Sequence, residues 1–234
     1  MRGHLKFLAL AAALSALLVI ALPAAALTGG EIDGDLHPNV GLLLVDGSPA
    51  CSGTLVSPTV FVTAGHCGSG GRVAVTFNSD LGGDLELFEG TLHVDPQFNF
   101  AADDPHDLAV VVLDEAAPVA PSSLPTAGLL EGVEKKTLLT SVGYGVSGSK
   151  KALRFDGARR FGTLELSKLY PAQAVVTPVT AAHCFGDSGG PMLLGDTVVA
   201  VTSGGKATCK GKSGVYRLDT AGARAFLDDF VALP

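Results

Sequence analysis

The chain has 234 residues, 47% of them hydrophobic and 17% charged, with a formal charge of −7. That length suffices to bury a sizeable core as one or two domains, and the acidic balance argues against nucleic acid as a general partner. Thirty glycines, no tryptophan and many short β-branched runs point to a turn-rich β protein, with no coiled-coil pattern, repeat or low-complexity tract.

Residues 1–26 read as a secretory signal peptide. Arg2, His4 and Lys6 form a positive start, Phe7 to Leu22 is apolar, Pro23 breaks the run, and Ala24-Ala25-Ala26 offers small residues to signal peptidase. The apolar run falls short of the ~20 residues of a membrane span. The expected protein is secreted and extracellular, with no stable membrane association once the segment is cut after Ala26. Arg2 and Lys6 leave with it and no acid does, so the mature charge falls by two, to −9. The mature chain then starts Leu27-Thr28-Gly29-Gly30. Taken alone, that start reads as a flexible tail.

Val40 to Val45 reads as a strand, Asp46-Gly47-Ser48-Pro49 as a hairpin turn, and Cys51 to Val56 as the next strand. Val60 to Thr63 is a buried strand that Gly65 ends, presenting His66 at its tip beside Cys67. Further strands and turns fill Arg72 to His93. Asp80, Asp84, Glu86 and Glu89 are acidic enough to raise calcium, but their spacing does not match an EF-hand loop, and no metal is expected. Asp103 and Asp104 lie in a polar loop and are assigned no chemistry. Asp107 immediately precedes the apolar run Leu108 to Leu113, which sets a carboxylate at the edge of a core. Ala116 to Pro125, with three prolines, reads as the linker between two halves.

The second half holds Val142-Gly143-Tyr144-Gly145, then an irregular loop over Ser147 to Gly162. The basic cluster Lys150, Lys151, Arg154, Arg159 and Arg160 within it reads as a solvated loop face. Cys184-Phe185-Gly186-Asp187-Ser188-Gly189-Gly190-Pro191 puts a serine in a tight loop whose glycines let another backbone approach. Thr197 to Ser203 is a strand that opens at Gly204-Gly205, and Gly214-Val215-Tyr216 belongs to another. Thr220 to Leu233 reads as a closing helix, with Phe226, Leu227, Phe230 and Val231 at helical spacing and Thr220 as its cap. Four cysteines in a secreted chain imply two disulfides, for which three pairings exist.

A serine hydroxyl becomes a nucleophile only with a base beside it and a third group orienting that base. Ser188 therefore asks for a histidine and an acid, and His66 and Asp107 stand in contexts that suit both roles. The segments "TAGHC", "HDLAVVVL" and "GDSGGP", in the order His, Asp, Ser, resemble the trypsin and chymotrypsin family of serine endopeptidases, in its microbial secreted form. That order separates the chain from α/β-hydrolases and subtilisins. The triad roles that follow are those of the family's worked template and are carried over with the resemblance.

The resemblance covers about Leu27 to Leu233. It implies an all-β fold of two six-stranded antiparallel β-barrels with a C-terminal helix, in one peptidase domain over 27–234. The N-terminal barrel would take about 27–120 and the C-terminal barrel about 121–234. It implies His66, Asp107 and Ser188 as the triad, the amides of Gly186 and Ser188 as the oxyanion hole, and Ser203 as support for Asp107. It selects the disulfides Cys51–Cys67 and Cys184–Cys209. It sets the specificity pocket at Ala182, His183, Gly205 and Gly214, and an activating ion pair between the α-ammonium of Leu27 and Asp187, with signal cleavage itself freeing that terminus. An uncharged floor at Ala182 implies a preference for apolar residues on the acyl side of the scissile bond. His183 beside it offers a partner for a glutamate side chain, although its plainer reading is a hydrogen-bonded wall residue. The expected function is a secreted serine endopeptidase, monomeric and cofactor-free, acting on proteins or peptides and met by protein inhibitors. The alternatives are a catalytically inactive homologue serving as a binding module, and a triad enzyme that favours esters.

Overall fold

In the computed structural model, which describes residues 27–149 and 152–234, the short apolar runs become strands that pair antiparallel. The signal peptide expected over 1–26, together with Lys150 and Lys151, lies outside the described residues. A two-residue strand β1 (Glu31–Ile32) precedes β2 (Val40–Val45), β3 (Ser48–Ser57), β4 (Val60–Thr63), β5 (Gly71–Thr76), β6 (Phe88–Val94) and β7 (Ala109–Leu113). Strands β2 to β7 close into a barrel in the order β2-β3-β4-β7-β6-β5. The β2–β3 hairpin turns on Asp46 and Gly47, with φ of 51° and 71°, the left-handed pair that suits the twist of the flanking strands.

After the connection come β8 (Leu138–Gly143), β9 (Ser147–Ser149), β10 (Ala152–Arg154), β11 (Arg160–Leu169), β12 (Gln173–Pro178), β13 (Pro191–Leu194), β14 (Thr197–Gly204), β15 (Ser213–Arg217) and the helix α1 (Ala221–Leu227). Six of these strands close a second barrel, β8-β11-β12-β15-β14-β13 and back to β8. Strand β1 crosses over to pair with the start of β11, with Glu31 opposite Phe161. The fold is therefore the pair of six-stranded antiparallel barrels that the resemblance implies.

Alternation along the strands fills the interior of each barrel and a core between them. Phe61, Val73, Val75, Leu92 and Val111 pack inside the first barrel. Leu139, Leu164, Val176, Met192 and Val199 pack inside the second. The core between them joins Val62 and Val110 of the first barrel to Leu193, Val201, Tyr216 and Leu227 of the second. This shared core fixes the two barrels against each other, so loops from both face one cleft.

Three expectations need correction. The stretch Ser147 to Gly162 is not an irregular loop: it holds the β9–β10 hairpin and the start of β11. Arg159 and Arg160 are not a solvated face, being only 1% and 3% exposed. The Arg159 guanidinium bonds Asp33 at 2.7 Å and the carbonyls of Val40, Phe77 and Gly34, while Arg160 bonds Asp156 at 2.6 Å. The closing helix ends at Leu227, not Leu233. Thr220 does cap it, its Oγ1 accepting from the Ala223 amide at 3.3 Å. Asp228 and Asp229 follow at the C-terminal end, where the helix dipole disfavours carboxylates, and Arg224 reaches the Pro234 carbonyl and folds the tail back. Phe230, Val231 and Leu233 still pack on the shared core. Among the described residues no helix is long and apolar enough to cross a membrane.

Candidate active site

The register of β4 against β7 brings the first two site residues together. Thr63 lies opposite Ala109, so the chain leaving β4 and the chain entering β7 meet at one end of the barrel. His66 sits three residues beyond Thr63 in a short 3-10 turn (Gly65–Cys67), and Asp107 sits two residues before Ala109. His66 Nδ1 lies 3.0 Å from both carboxylate oxygens of Asp107, and the His66 amide donates to Oδ1 at 2.9 Å. Asp107 is fully buried. The second barrel supplies its other partner, Ser203 at the end of β14, whose Oγ donates to Oδ2 at 2.5 Å. A buried carboxylate so surrounded is satisfied. It fixes the imidazole with its proton on Nδ1 and its lone pair on Nε2.

Ser188 stands in the loop between β12 and β13 and lines the same cleft as His66 and Ser203, a space of about 320 Å³. Among the described residues no hydrogen bond joins Ser188 Oγ to the imidazole. Such bonds are often loose without substrate. The loop itself is held tightly. The Ser188 carbonyl accepts from the Ser52 amide at 2.8 Å, and Ser52 Oγ donates to the Gly186 carbonyl at 2.8 Å while accepting from the Tyr144 amide. At Gly189, with φ +76°, an added Cβ would meet Thr63 Oγ1 at 2.1 Å and Ser52 O at 2.5 Å. The two barrels approach too closely there for any side chain. Neither the Gly186 nor the Ser188 amide donates a hydrogen bond among the described residues. Both remain available to an oxygen in the cleft.

Asp187 is buried, its carboxylate accepting from the amides of Gly145 at 2.9 Å and Cys184 at 2.8 Å. Burial pushes its pKa up to about 7 against the pull of those two bonds. Gly143 and Gly145 form its cradle, since a Cβ on either would fall 2.4–2.5 Å from the carboxylate. Leu27 is fully buried, and Thr28 exchanges two backbone hydrogen bonds with Ala182 at 2.9 and 3.0 Å. The start of the described chain is thus docked beside this loop. No ion pair links Leu27 to Asp187 among the described residues: in the uncut chain the Leu27 nitrogen is a peptide nitrogen.

The cleft lining departs in part from expectation. His183 and Gly205 line it, with Gly204 and Lys206; Ala182 and Gly214 do not. The Ala182 backbone is taken by Thr28, and Gly214 pairs with Gly204 between β15 and β14. Phe100 and Phe185, each 59% exposed, flank the opening. Phe100 packs against His66 in a tilted arrangement, with ring centroids 5.3 Å apart. Sequence reasoning missed Ser52, Phe100 and Lys206. Ser52 carried the one available hint, standing between Cys51 and Gly53 on β3, the strand before the one that leads to His66. A wider groove of about 830 Å³ beside Asp103, Asp104, Tyr170 and Gln173 contains none of these residues.

Disulfides join Cys51 to Cys67 and Cys184 to Cys209, bracing the histidine and serine loops respectively. Cys51, His66 and Cys67 bring metal-type ligand atoms together, but both sulfurs are committed to the disulfide and neither is a thiolate.

A family model described as "Trypsin" matches residues 29–220. A "Trypsin" of Saccharopolyspora erythraea is 30% identical over 213 residues, covering 81% of this chain and 92% of that protein. "Trypsin 5G1" of Aedes aegypti is 28% identical over 197 residues, covering 76% and 74%. Among solved structures, one titled human heparin binding protein superposes with a TM-score of 0.70 at 18% identity, covering 88% of this chain and 99% of that one. Another, titled an atomic-resolution structure of HBP, gives 0.73 at 20% identity, covering 88% and 97%. At these identities the structural likeness speaks for the fold alone.

Proposed function

The chain belongs to the trypsin family, and from that premise we propose that it is a secreted serine endopeptidase that hydrolyses protein or peptide substrates through Ser188, His66 and Asp107. The observation that carries this reading is the Asp107 carboxylate, buried and held by His66 Nδ1 from one barrel and Ser203 Oγ from the other, in a cleft that Ser188 lines.

In this reading Ser188 Oγ attacks the scissile carbonyl while His66 Nε2 takes its proton. The carbonyl oxygen becomes an oxyanion, and the amides of Gly186 and Ser188 stabilise it, a contribution of about 3–4 kcal/mol per donor to such transition states. His66 returns the proton to the leaving amine, which departs and leaves Ser188 acylated. Water then attacks the ester by the reverse proton route, releasing the acid and restoring the serine. Asp107 holds the tautomer and stabilises the imidazolium.

Two finer expectations enter here. Cutting after Ala26 would give Leu27 a free ammonium beside the loop that holds Asp187, and the buried Leu27 and the Thr28–Ala182 pairing support a terminus that docks there. The apolar preference rested on Ala182 as the pocket floor. Its absence from the cleft lining weighs against that preference.

The test is labelling of the secreted mature protein by a fluorophosphonate, with Ser188→Ala and His66→Ala as controls, alongside hydrolysis of a mixed peptide library. Labelling and hydrolysis that vanish in both variants are expected. Labelling or hydrolysis retained by purified Ser188→Ala defeats the mechanism. A wild-type protein that is neither labelled nor active defeats the enzyme reading in favour of a binding module.

A further inference from the structure

The cleft beside Ser188 has a polar wall that catalysis does not use. His183, 3% exposed, lies on that wall. Its Nε2 stands 2.8 Å from Ser141 Oγ on β8 and 3.2 Å from Thr202 Oγ1 on β14. Its Nδ1 is buried and has no hydrogen-bond partner. A buried polar atom left unpaired costs about 1–3 kcal/mol, and most such atoms find a partner within the fold. Burial also pulls the His183 pKa down to about 4, so the ring is neutral and carries one N–H. Two hydroxyls face Nε2, and each can donate to it. With Nε2 accepting, the N–H falls on Nδ1, a donor with nothing to bind.

The rest of the lining narrows what would satisfy that donor. No aspartate or glutamate lines the cleft among the described residues, so a lysine or arginine side chain would enter without a counter-charge, at a desolvation cost nothing repays. An apolar side chain would leave Nδ1 without a partner. Lys206 lies at the cleft edge. Its loop, residues 205–212, carries Lys206, Lys210 and Lys212 and no acid, on a chain whose mature charge is −9. Local charge thus runs against the charge of the whole, which is the pattern that draws an anion to one place.

We propose that this cleft selects an acidic residue on the acyl side of the scissile bond, with His183 Nδ1 donating to its carboxylate and Lys206 screening it at the rim. The inference rests on the serine endopeptidase reading and names its substrate class.

The test measures kcat/KM of the mature protein on matched peptides that differ only in the acyl-side residue: Glu, Gln, Leu, Phe and Lys. Glu is expected to exceed each of the others by about tenfold or more, the discrimination a site gains when its buried polar group is paired. His183→Gln and Lys206→Glu are each expected to shrink the Glu-to-Leu ratio by about tenfold. Fluorophosphonate labelling of Ser188 in every variant reports whether the loop is intact, and an unlabelled His183→Gln leaves the Lys206→Glu ratio to decide. Cleavage led by Leu, Phe or Lys overturns the proposal, as does Gln equal to Glu, or a ratio unmoved in a labelled variant. A wild-type protein labelled at Ser188 that spares the Glu peptide overturns the substrate class alone. One that is neither labelled nor active brings down the enzyme reading, and this inference with it.

Discussion

Ser203 Oγ donates to Asp107 Oδ2 at 2.5 Å, so the acid of one barrel is held by a hydroxyl of the other. The bond crosses the interface that the shared apolar core forms, and it ties the orientation of the imidazole to the relative setting of the two barrels. Ser203→Ala removes one of the three donors to a buried carboxylate. His66 keeps its contact but loses the lateral constraint. The expected result is a fall in kcat of about tenfold, equivalent to ~1.4 kcal/mol of barrel-to-barrel positioning, with a smaller change in KM. Steady-state kinetics decide it: an unchanged kcat would show that the His66 contact alone orients Asp107.

The uncut chain should reveal Asp187 by its pH dependence. Burial raises this carboxyl from 3.8 to about 7, so the folded state holds a proton that the unfolded state releases. Between about pH 4 and 7 the folded chain binds more protons, and stability therefore falls as pH rises, by up to about 1.4 kcal/mol per pH unit from this group. His183 runs the other way in part of the window. Its pKa is lowered from 6.5 to about 4, so its contribution is lost as pH falls through that range. The measurement is thus a difference, urea unfolding of the uncut chain against its Asp187→Asn variant from pH 4 to 7.5. Wild type should lose stability relative to the variant as pH rises. In the chain cut after Ala26 the trend should flatten or reverse, because an ammonium partner favours the charged carboxylate. A flat difference in the uncut chain would mean that the Gly145 and Cys184 amides suffice to keep Asp187 ionised.

Much of this site could be read from the sequence, for a physical reason. Histidine, aspartate and serine each sit within a short local motif, and the strands flanking them are apolar enough to be recognised one by one. Long-range pairing was less legible. Arg159 looked like part of a charged loop, because nothing nearby in sequence announces Asp33 or the carbonyls of Val40 and Phe77 that bury it. The specificity pocket was legible only in part, for a similar reason. Ala182 is drawn to Thr28, more than 150 positions earlier, while His183 meets hydroxyls from two other strands. The final helix had the right periodicity to Leu233, but periodicity does not register the carboxylates of Asp228 and Asp229 at its end.

Gly189→Ala should disable the site without a polar change. The added methyl would meet Thr63 Oγ1, Ser52 O and the Ala64 nitrogen at 2.1–2.8 Å, at a backbone φ of +76°. Two of those three are backbone atoms and cannot swing aside, so the serine loop must move. The expected outcome is loss of Ser188 labelling by a fluorophosphonate, with a stability cost of about 1–3 kcal/mol. Labelling at the wild-type rate would mean that the loop can accommodate a Cβ and that the barrels are less tightly apposed than the contacts imply.

Arg159→Met should be the most destabilising of these changes. The guanidinium is 1% exposed and spreads its donors over Asp33, the carbonyls of Val40, Phe77 and Gly34, and Tyr144 Oη. Burial alone would push the Asp33 pKa up; bonds from His37 and Arg159 outweigh it and hold the carboxyl below its ordinary value. Removing the cation leaves Asp33 with His37 as its remaining side-chain partner, and three carbonyls lose a donor. Breaking such a buried pair costs about 3–5 kcal/mol, and each kcal/mol lowers the Tm of a chain of this size by about 2–4 °C. Adding Asp33→Asn to Arg159→Met should recover part of the loss, because the uncompensated charge goes while the orphaned carbonyls remain. Thermal unfolding of the two single variants and the double variant measures the coupling. Strict additivity would show that Arg159 serves the carbonyls and not the carboxylate.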